Sequence, residues 1–185
     1  MKKTEVLVIG SGLAGAISAI RAADLGAEVT LITKTESLLS GNTPWAQGGI
    51  IFKGNDDSPE KLKKDIMDAG AGHCWEPAVD LIANEGPALV KEYLIDRFGI
   101  NFDRENGELD LTEEGAHSEP RIIHAKDKTG EIIHTNVIRH LEDNDNIEIL
   151  TEHTAVDLLT LSHSSKNTLD IYKKPACFGA FILDN

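Results

Sequence analysis

The chain has 185 residues, with 31 Asp and Glu against 18 Lys and Arg, a net charge of −13 and a pI near 4.9. That length suits one domain with a sizeable core, and the acidity argues against nucleic acid or an anionic membrane surface as partner, because phosphate binding requires clustered cations. No run reaches transmembrane length, the apolar stretch after Met1-Lys2-Lys3 is too short for a signal peptide, and Cys74 and Cys177 match no metal spacing. Both cysteines read as small buried hydrophobes in a reducing, cytoplasmic setting.

In chain order, the apolar run Val6–Ile9 reads as a strand that enters the turn Gly10-Ser11-Gly12-Leu13-Ala14-Gly15. Gly10 permits a tight exit from the strand, Gly12 a close approach to a pyrophosphate, and Gly15 close packing of helix on sheet. A helix over residues 13–25 follows, with Leu13, Ala14, Ile17, Ile20 and Ala23 at helical spacing and Gly26 as its stop. Residues Val29–Ile32 form the next strand, parallel to the first, because a right-handed crossover through one helix leaves few alternatives. This βαβ unit, strand then turn then helix, is the context a GxGxxG pattern needs to signify a dinucleotide site. The fold class is α/β, with a parallel sheet and additional helices and short antiparallel strands.

Residues 38–51 read as a glycine-rich loop. Ser58 and Pro59 read as N-cap and first residue of a helix running to about Asp68. Helical pattern resumes from Glu76 to Phe98 and is expected to break into two helices at Gly86-Pro87. Extended pieces around Ile100–Asp103 and Glu108–Thr112 flank a hairpin turn at Glu105-Asn106-Gly107. A helix starts at Thr129-Gly130, with Asp127 and Thr129 as capping groups. Strands follow at Ile147–Leu150, Thr154–Leu161 and Cys177–Leu183. The last of these has no later element to cover it, which suggests a piece of something longer.

Three patches carry chemical interest. In Asn42-Thr43-Pro44-Trp45-Ala46-Gln47-Gly48-Gly49, small residues and backbone N–H groups suit a flat heterocycle or a phosphate, or form an ordinary surface loop. In Leu111–Ser118, Glu113 and Glu114 are adjacent on an extended piece and so point apart, leaving at most one to face a site. In Arg121–Gly130, His124 joins His117 and His134 without any metal-ligand spacing, so these read as core or hydrogen-bonding histidines.

Taken together, the order Gly10-x-Gly12-x-x-Gly15, Ala46-Gln47-Gly48-Gly49 and His124-Ala125-x-Asp127-x-Thr129-Gly130 resembles the FAD-binding region of the succinate dehydrogenase, fumarate reductase and L-aspartate oxidase flavoproteins. The resemblance spans residues 5 to about 183. The run Leu111-Thr112-x-Glu114-Gly115-x-His117-Ser118-x-x-Arg121-Ile122 is most similar to the aspartate oxidase branch. Asn42 stands where the respiratory enzymes carry a histidine bonded to the flavin, so the resemblance implies non-covalent FAD.

By the same resemblance, Ser11, Gly12, Leu13 and Ala14 match positions holding the pyrophosphate. Lys34 matches one near the adenosine, where an acidic residue usually takes the ribose; Glu36 is a substitute. Asn42 through Gly49 match the segment along the flavin, and Ala155-Val156 a backbone stretch at the adenine end. Glu114 matches the glutamate near the substrate amino group. The implied substrate is L-aspartate or a related dicarboxylate, oxidised to iminoaspartate in NAD biosynthesis with oxygen or fumarate as acceptor. The carboxylate-clamping arginines and histidines belong to a capping domain and later segments. Residues 1–185 therefore read as an incomplete FAD-binding domain with no catalytic residue of its own and little or no turnover alone. Alternatives are a soluble fumarate reductase or succinate-oxidising flavoprotein, and a non-catalytic FAD-binding fragment that self-associates through its uncapped face.

Overall fold

The structure is a computed structural model describing residues 1–185. In chain order its elements are β1 (Val6–Ile9), α1 (Leu13–Asp24), β2 (Val29–Ile32), β3 (Ile50–Ile51), α2 (Pro59–Ala69), α3 (Glu76–Leu89), β4 (Arg104–Glu105), β5 (Glu108–Leu109), β6 (Ile122–Ile123), α4 (Thr129–Glu142), β7 (Ile147–Leu150), β8 (His153–Thr160), α5 (Leu161–Ser164) and β9 (Cys177–Asp184). They form two compact units, one of Met1–Gly41 with Val137–Asn185 and the other of Asn42–Asn136.

In the first unit, β1, β2 and β7 make a parallel sheet in the order β1-β2-β7, with Val6 opposite Val29 and Val29 opposite Ile147. The central strand is buried at all four residues, Thr30 included, as a strand flanked by parallel neighbours on both edges requires. Helix α1 packs on all three strands through Ala16, Ala19, Ile20 and Ala23, a face kept thin by alanine. It ends where the sequence predicts. Gly26, at φ +89°, donates to Ala23 O, and Ala27 donates to Ala22 O, the paired bonds of a Schellman stop. Strands β8 and β9 pair antiparallel as a separate two-stranded ribbon, so the final strand is paired with an earlier one. Val156, Leu158, Phe178, Phe181 and Leu183 remain exposed on it. Cys177 is exposed with them and Cys74 is half-buried, both as free thiols, so the expectation of two buried hydrophobes fails.

In the second unit α2 packs against α3, and β3 pairs antiparallel with β6. Ser58 caps α2 by accepting from the Lys61 N–H at 3.3 Å, with Pro59 as first helical residue. The expected break at Gly86-Pro87 does not occur. Helix α3 passes through Pro87, and the chain then widens into a π-helical segment over Val90–Arg97. Gly86 has no Cβ, which removes one part of the clash that disfavours a helical residue before proline, while the part between the proline ring and the Gly86 N–H remains. The hairpin β4–β5 turns through Asn106 and Gly107, at φ +52° and +91°, the positive values a tight two-residue turn demands. Its strands begin at Arg104, so Ile100–Asp103 is not itself a strand. At the start of α4 the Thr129 hydroxyl accepts from the Ala125 N–H at 3.0 Å, a local contact made by the threonine and not by Asp127. No helix is long and apolar enough to cross a membrane.

Candidate functional site

Each unit holds one group of the residues singled out by sequence. In the first, the chain leaves β1 at Gly10, whose φ of +104° suits glycine and whose N–H donates to Ile32 O at 2.8 Å. A Cβ on Gly15 would collide with the Gly10 carbonyl oxygen, so only glycine lets α1 start this close to the turn. No side chain caps α1, and its first turn contains no acid. The positive end of the helix therefore meets no carboxylate of its own, the condition a phosphate needs. Ser11 is buried and its Oγ donates to Leu38 O at 2.8 Å, which ties the turn to the chain beyond β2. Lys34 and Glu36 are exposed after β2. In β8 the ladder slips between Ala155 and Asp157, so Val156 has no cross-strand partner. That irregularity lies on the dipeptide that the family resemblance associates with adenine.

In the second unit, Asn42–Gly49 contains a single 3₁₀ turn, Thr43–Trp45, and Trp45 is 80% exposed. Two glycines fix its course. Gly49, at φ +89°, leaves no room for a Cβ, which would lie 2.5 Å from Ile122 Cγ2 and 2.6 Å from Ile123 O. Gly130, in the first turn of α4, donates to Ala46 O at 2.9 Å, and a Cβ there would collide with Thr43 O. The loop thus lies directly on the backbone of β6 and of the α4 start. Glu114 also comes to it: its Oε1 is 3.7 Å from where a Cβ on Gly48 would stand. Two patches 66 positions apart in sequence are therefore neighbours.

Beneath the Glu114 loop is a set of charges that sequence reading missed. Arg121 is 0% exposed and donates from Nε and Nη2 to the two Asp57 carboxylate oxygens, both at 2.8 Å, and from Nη1 to Asp65 Oδ2 at 2.5 Å. Burial pushes the Asp65 carboxyl up, but Arg121 and the Ser118 donors outweigh it and bring it down to about 2. Asp57 is likewise lowered, with burial opposed by Arg121 and by the Gly54 and Ser58 N–H groups. Arg121 is raised, chiefly by its bonds to Asp57. The available signal was an arginine opening the apolar run Ile122-Ile123, since a charge entering a core must find partners.

The histidines follow the core or hydrogen-bonding expectation unevenly. His134 is fully buried, whereas His124 Nε2 lies 3.7 Å from both Asp103 and Asp110 at a partly exposed position. A cavity of about 280 Å³ lies in the same unit, lined by Phe52, Pro59, Leu62, Ala83 and Pro87 among others, and none of Asn42–Gly49 borders it.

Comparison with known proteins gives a consistent picture. The profile of the FAD binding domain family matches residues 5–181. L-aspartate oxidase of Halobacterium salinarum is 42% identical over 157 residues, covering 85% of this chain and 30% of that protein. The chloroplastic L-aspartate oxidase of Oryza sativa is 38% identical over 185 residues, covering 99% and 27%. Among solved structures, a variant of E. coli quinol fumarate reductase superposes with a TM-score of 0.76 at 25% identity, over 84% of this chain and 27% of that one. The chain spans less than a third of the length of these relatives.

Proposed function

Because the chain belongs to the FAD-binding domain family, with FAD as its cofactor, we propose that it is the flavin-holding part of an L-aspartate oxidase, a domain that residues 1–185 do not complete. In the first unit, the main chain from Gly10 through Gly15 holds the pyrophosphate, with Lys34 and the Ala155-Val156 backbone serving the adenosine end. In the second, Asn42 through Gly49 lie along the flavin. When bound, FAD supplies a two-electron acceptor for oxidation of an amine-bearing carbon. The cysteines, both free thiols, suit a reducing compartment such as the cytoplasm.

The observation that carries the substrate reading is the Glu114 carboxylate beside Gly48. A carboxylate at the flavin loop attracts an ammonium and repels a further carboxylate. It favours L-aspartate over a plain dicarboxylate such as succinate or fumarate. Replacing Glu114 with leucine in the longest polypeptide that carries this sequence is expected to cut kcat/KM for L-aspartate about tenfold or more, the loss of one charge-assisted contact. Turnover of fumarate or succinate should rise relative to it. Steady-state rates with each substrate decide the matter, and unchanged preference would favour a soluble fumarate reductase.

Asn42 offers the flavin no nucleophile at the position where, by the resemblance, the respiratory enzymes bond it through a histidine, which supports a cofactor held without a covalent bond. Protein loaded with FAD is expected to stay yellow through desalting and to release all its colour on acid precipitation. Colour retained in the pellet would contradict this.

A further inference from the structure

We propose that Asp65, on α2, is the positioning residue for Glu114, fixing through Ser118 and Arg121 the loop that holds Glu114 beside Gly48. The inference rests on the function proposed above and concerns a residue outside every motif of the resemblance.

The loop of residues 113–120 is closed at its base. Thr112 donates to Ile122 O at 2.9 Å, and both Arg121 and Ile122 donate to Thr112 O at 3.0 Å. Between these ends Glu113, Glu114, Gly115, Ala116, Ser118 and Pro120 are exposed, so little apolar packing determines where the loop goes. Polar tethers determine it instead. The Ser118 N–H and Oγ donate to Asp65 Oδ2 at 2.8 and 2.9 Å, and that same oxygen receives Arg121 Nη1. The His117 N–H donates to Glu114 O at 2.9 Å, closing a turn that passes the position of Ser118 back to Glu114. Asp65 is itself buried in the helix, and hydrogen bonds to a charged acceptor are the stronger kind. The other tether, Lys61 to Glu119 at 2.6 Å, sits at the part-exposed rim, where ion pairs contribute little.

The test is Asp65→Asn, read in two ways. By hydrogen exchange on this chain, amides of residues 113–118 are expected to exchange about tenfold faster, the scale of one lost charge-assisted bond. Those of β1 and of the Asn106-Gly107 turn should keep their wild-type rates. In the longest polypeptide that carries the sequence, KM for L-aspartate is expected to rise by about the same factor while kcat and the KM for succinate change less than about twofold. Uniformly faster exchange throughout Asn42–Asn136, or equal increases in both KM values, would overturn the proposal and leave Asp65 a purely structural residue. Local loosening in a protein whose wild type does not oxidise aspartate would sink the substrate reading and leave the anchoring of the loop intact. Should Asp65→Asn fail to fold, Ser118→Ala removes one tether without touching the ion pairs. It is expected to loosen the same segment by a smaller factor, and unchanged exchange there would refute the anchoring.

Discussion

Replacing Arg121 with methionine is expected to cost about 3–5 kcal/mol of folding stability at neutral pH, the usual penalty for breaking a buried ion pair from one side. The side chain is completely enclosed and is the shared partner of two carboxylates. Methionine fills similar space but leaves Asp57 and Asp65 charged and facing each other's field without a cation. The pH dependence separates this cause from lost packing. A carboxyl whose folded value is depressed contributes stability above its unfolded value, 3.8 here, and loses it as pH falls through the folded value, about 2 for Asp65. In the variant both carboxyls rise above their ordinary range, so protonation relieves them. The stability gap between wild type and Arg121→Met should therefore be widest above the raised values the carboxyls take in the variant, begin to narrow as the pH falls through them, and narrow further below ~4 as the wild type loses its own share towards pH ~2. Urea unfolding followed by circular dichroism at several pH values measures it. A gap independent of pH would mean that shape rather than charge is at stake. Replacing all three residues by apolar ones of similar volume is expected to recover most of the loss.

Gly130→Ala is expected to abolish retention of FAD through desalting. The added Cβ would meet Thr43 O and stand 2.8 Å from Ala46 O and 2.9 Å from Ala46 Cβ. These are backbone and near-backbone atoms, with no flexible side-chain end to swing aside. Either the Thr43–Trp45 turn lifts or the start of α4 retreats, and overpacking of this kind costs about 1–3 kcal/mol. Because the loop lies on the α4 start through the Gly130-to-Ala46 hydrogen bond, the displacement falls on the segment proposed to lie along the flavin. Gly107→Ala is the matched control. That position has φ +91° and open space around it, so alanine there pays only backbone strain of about 1–2 kcal/mol. It should destabilise the hairpin without affecting flavin content. Equal flavin loss in both variants would refute the steric argument.

What was legible in the sequence was local. The β1–α1–β2 unit is specified by an apolar run, glycines where the backbone turns or packs closely, and a helix stop at Gly26, all within 30 residues. The Asn106-Gly107 turn was legible for the same reason. The break expected at Gly86-Pro87 did not form: glycine before the proline lifts the Cβ share of the steric penalty, and the chain widens into a π-helical segment one turn later. Asp57, Asp65 and Arg121 went unread as a group because 64 and 56 residues separate the arginine from its partners. Nothing in local spacing selects two carboxylates among 31 acidic residues. The nearness of Glu114 to Gly48 is of the same kind: family resemblance alone hinted at it, and the β3–β6 pairing supplies the means, by bringing residues 50–51 against 122–123.

The placement of the two indoles has an optical consequence. Trp45 and Trp75 are 80% and 73% exposed, so both already sit in water while the chain is folded. Their ultraviolet emission should peak near that of free tryptophan and shift little on denaturation, leaving the chain almost silent to the commonest fluorescence measure of unfolding. The same exposure makes Trp45 a dye placed by nature in the glycine-rich loop, where quenching by an arriving chromophore would register against a quiet background.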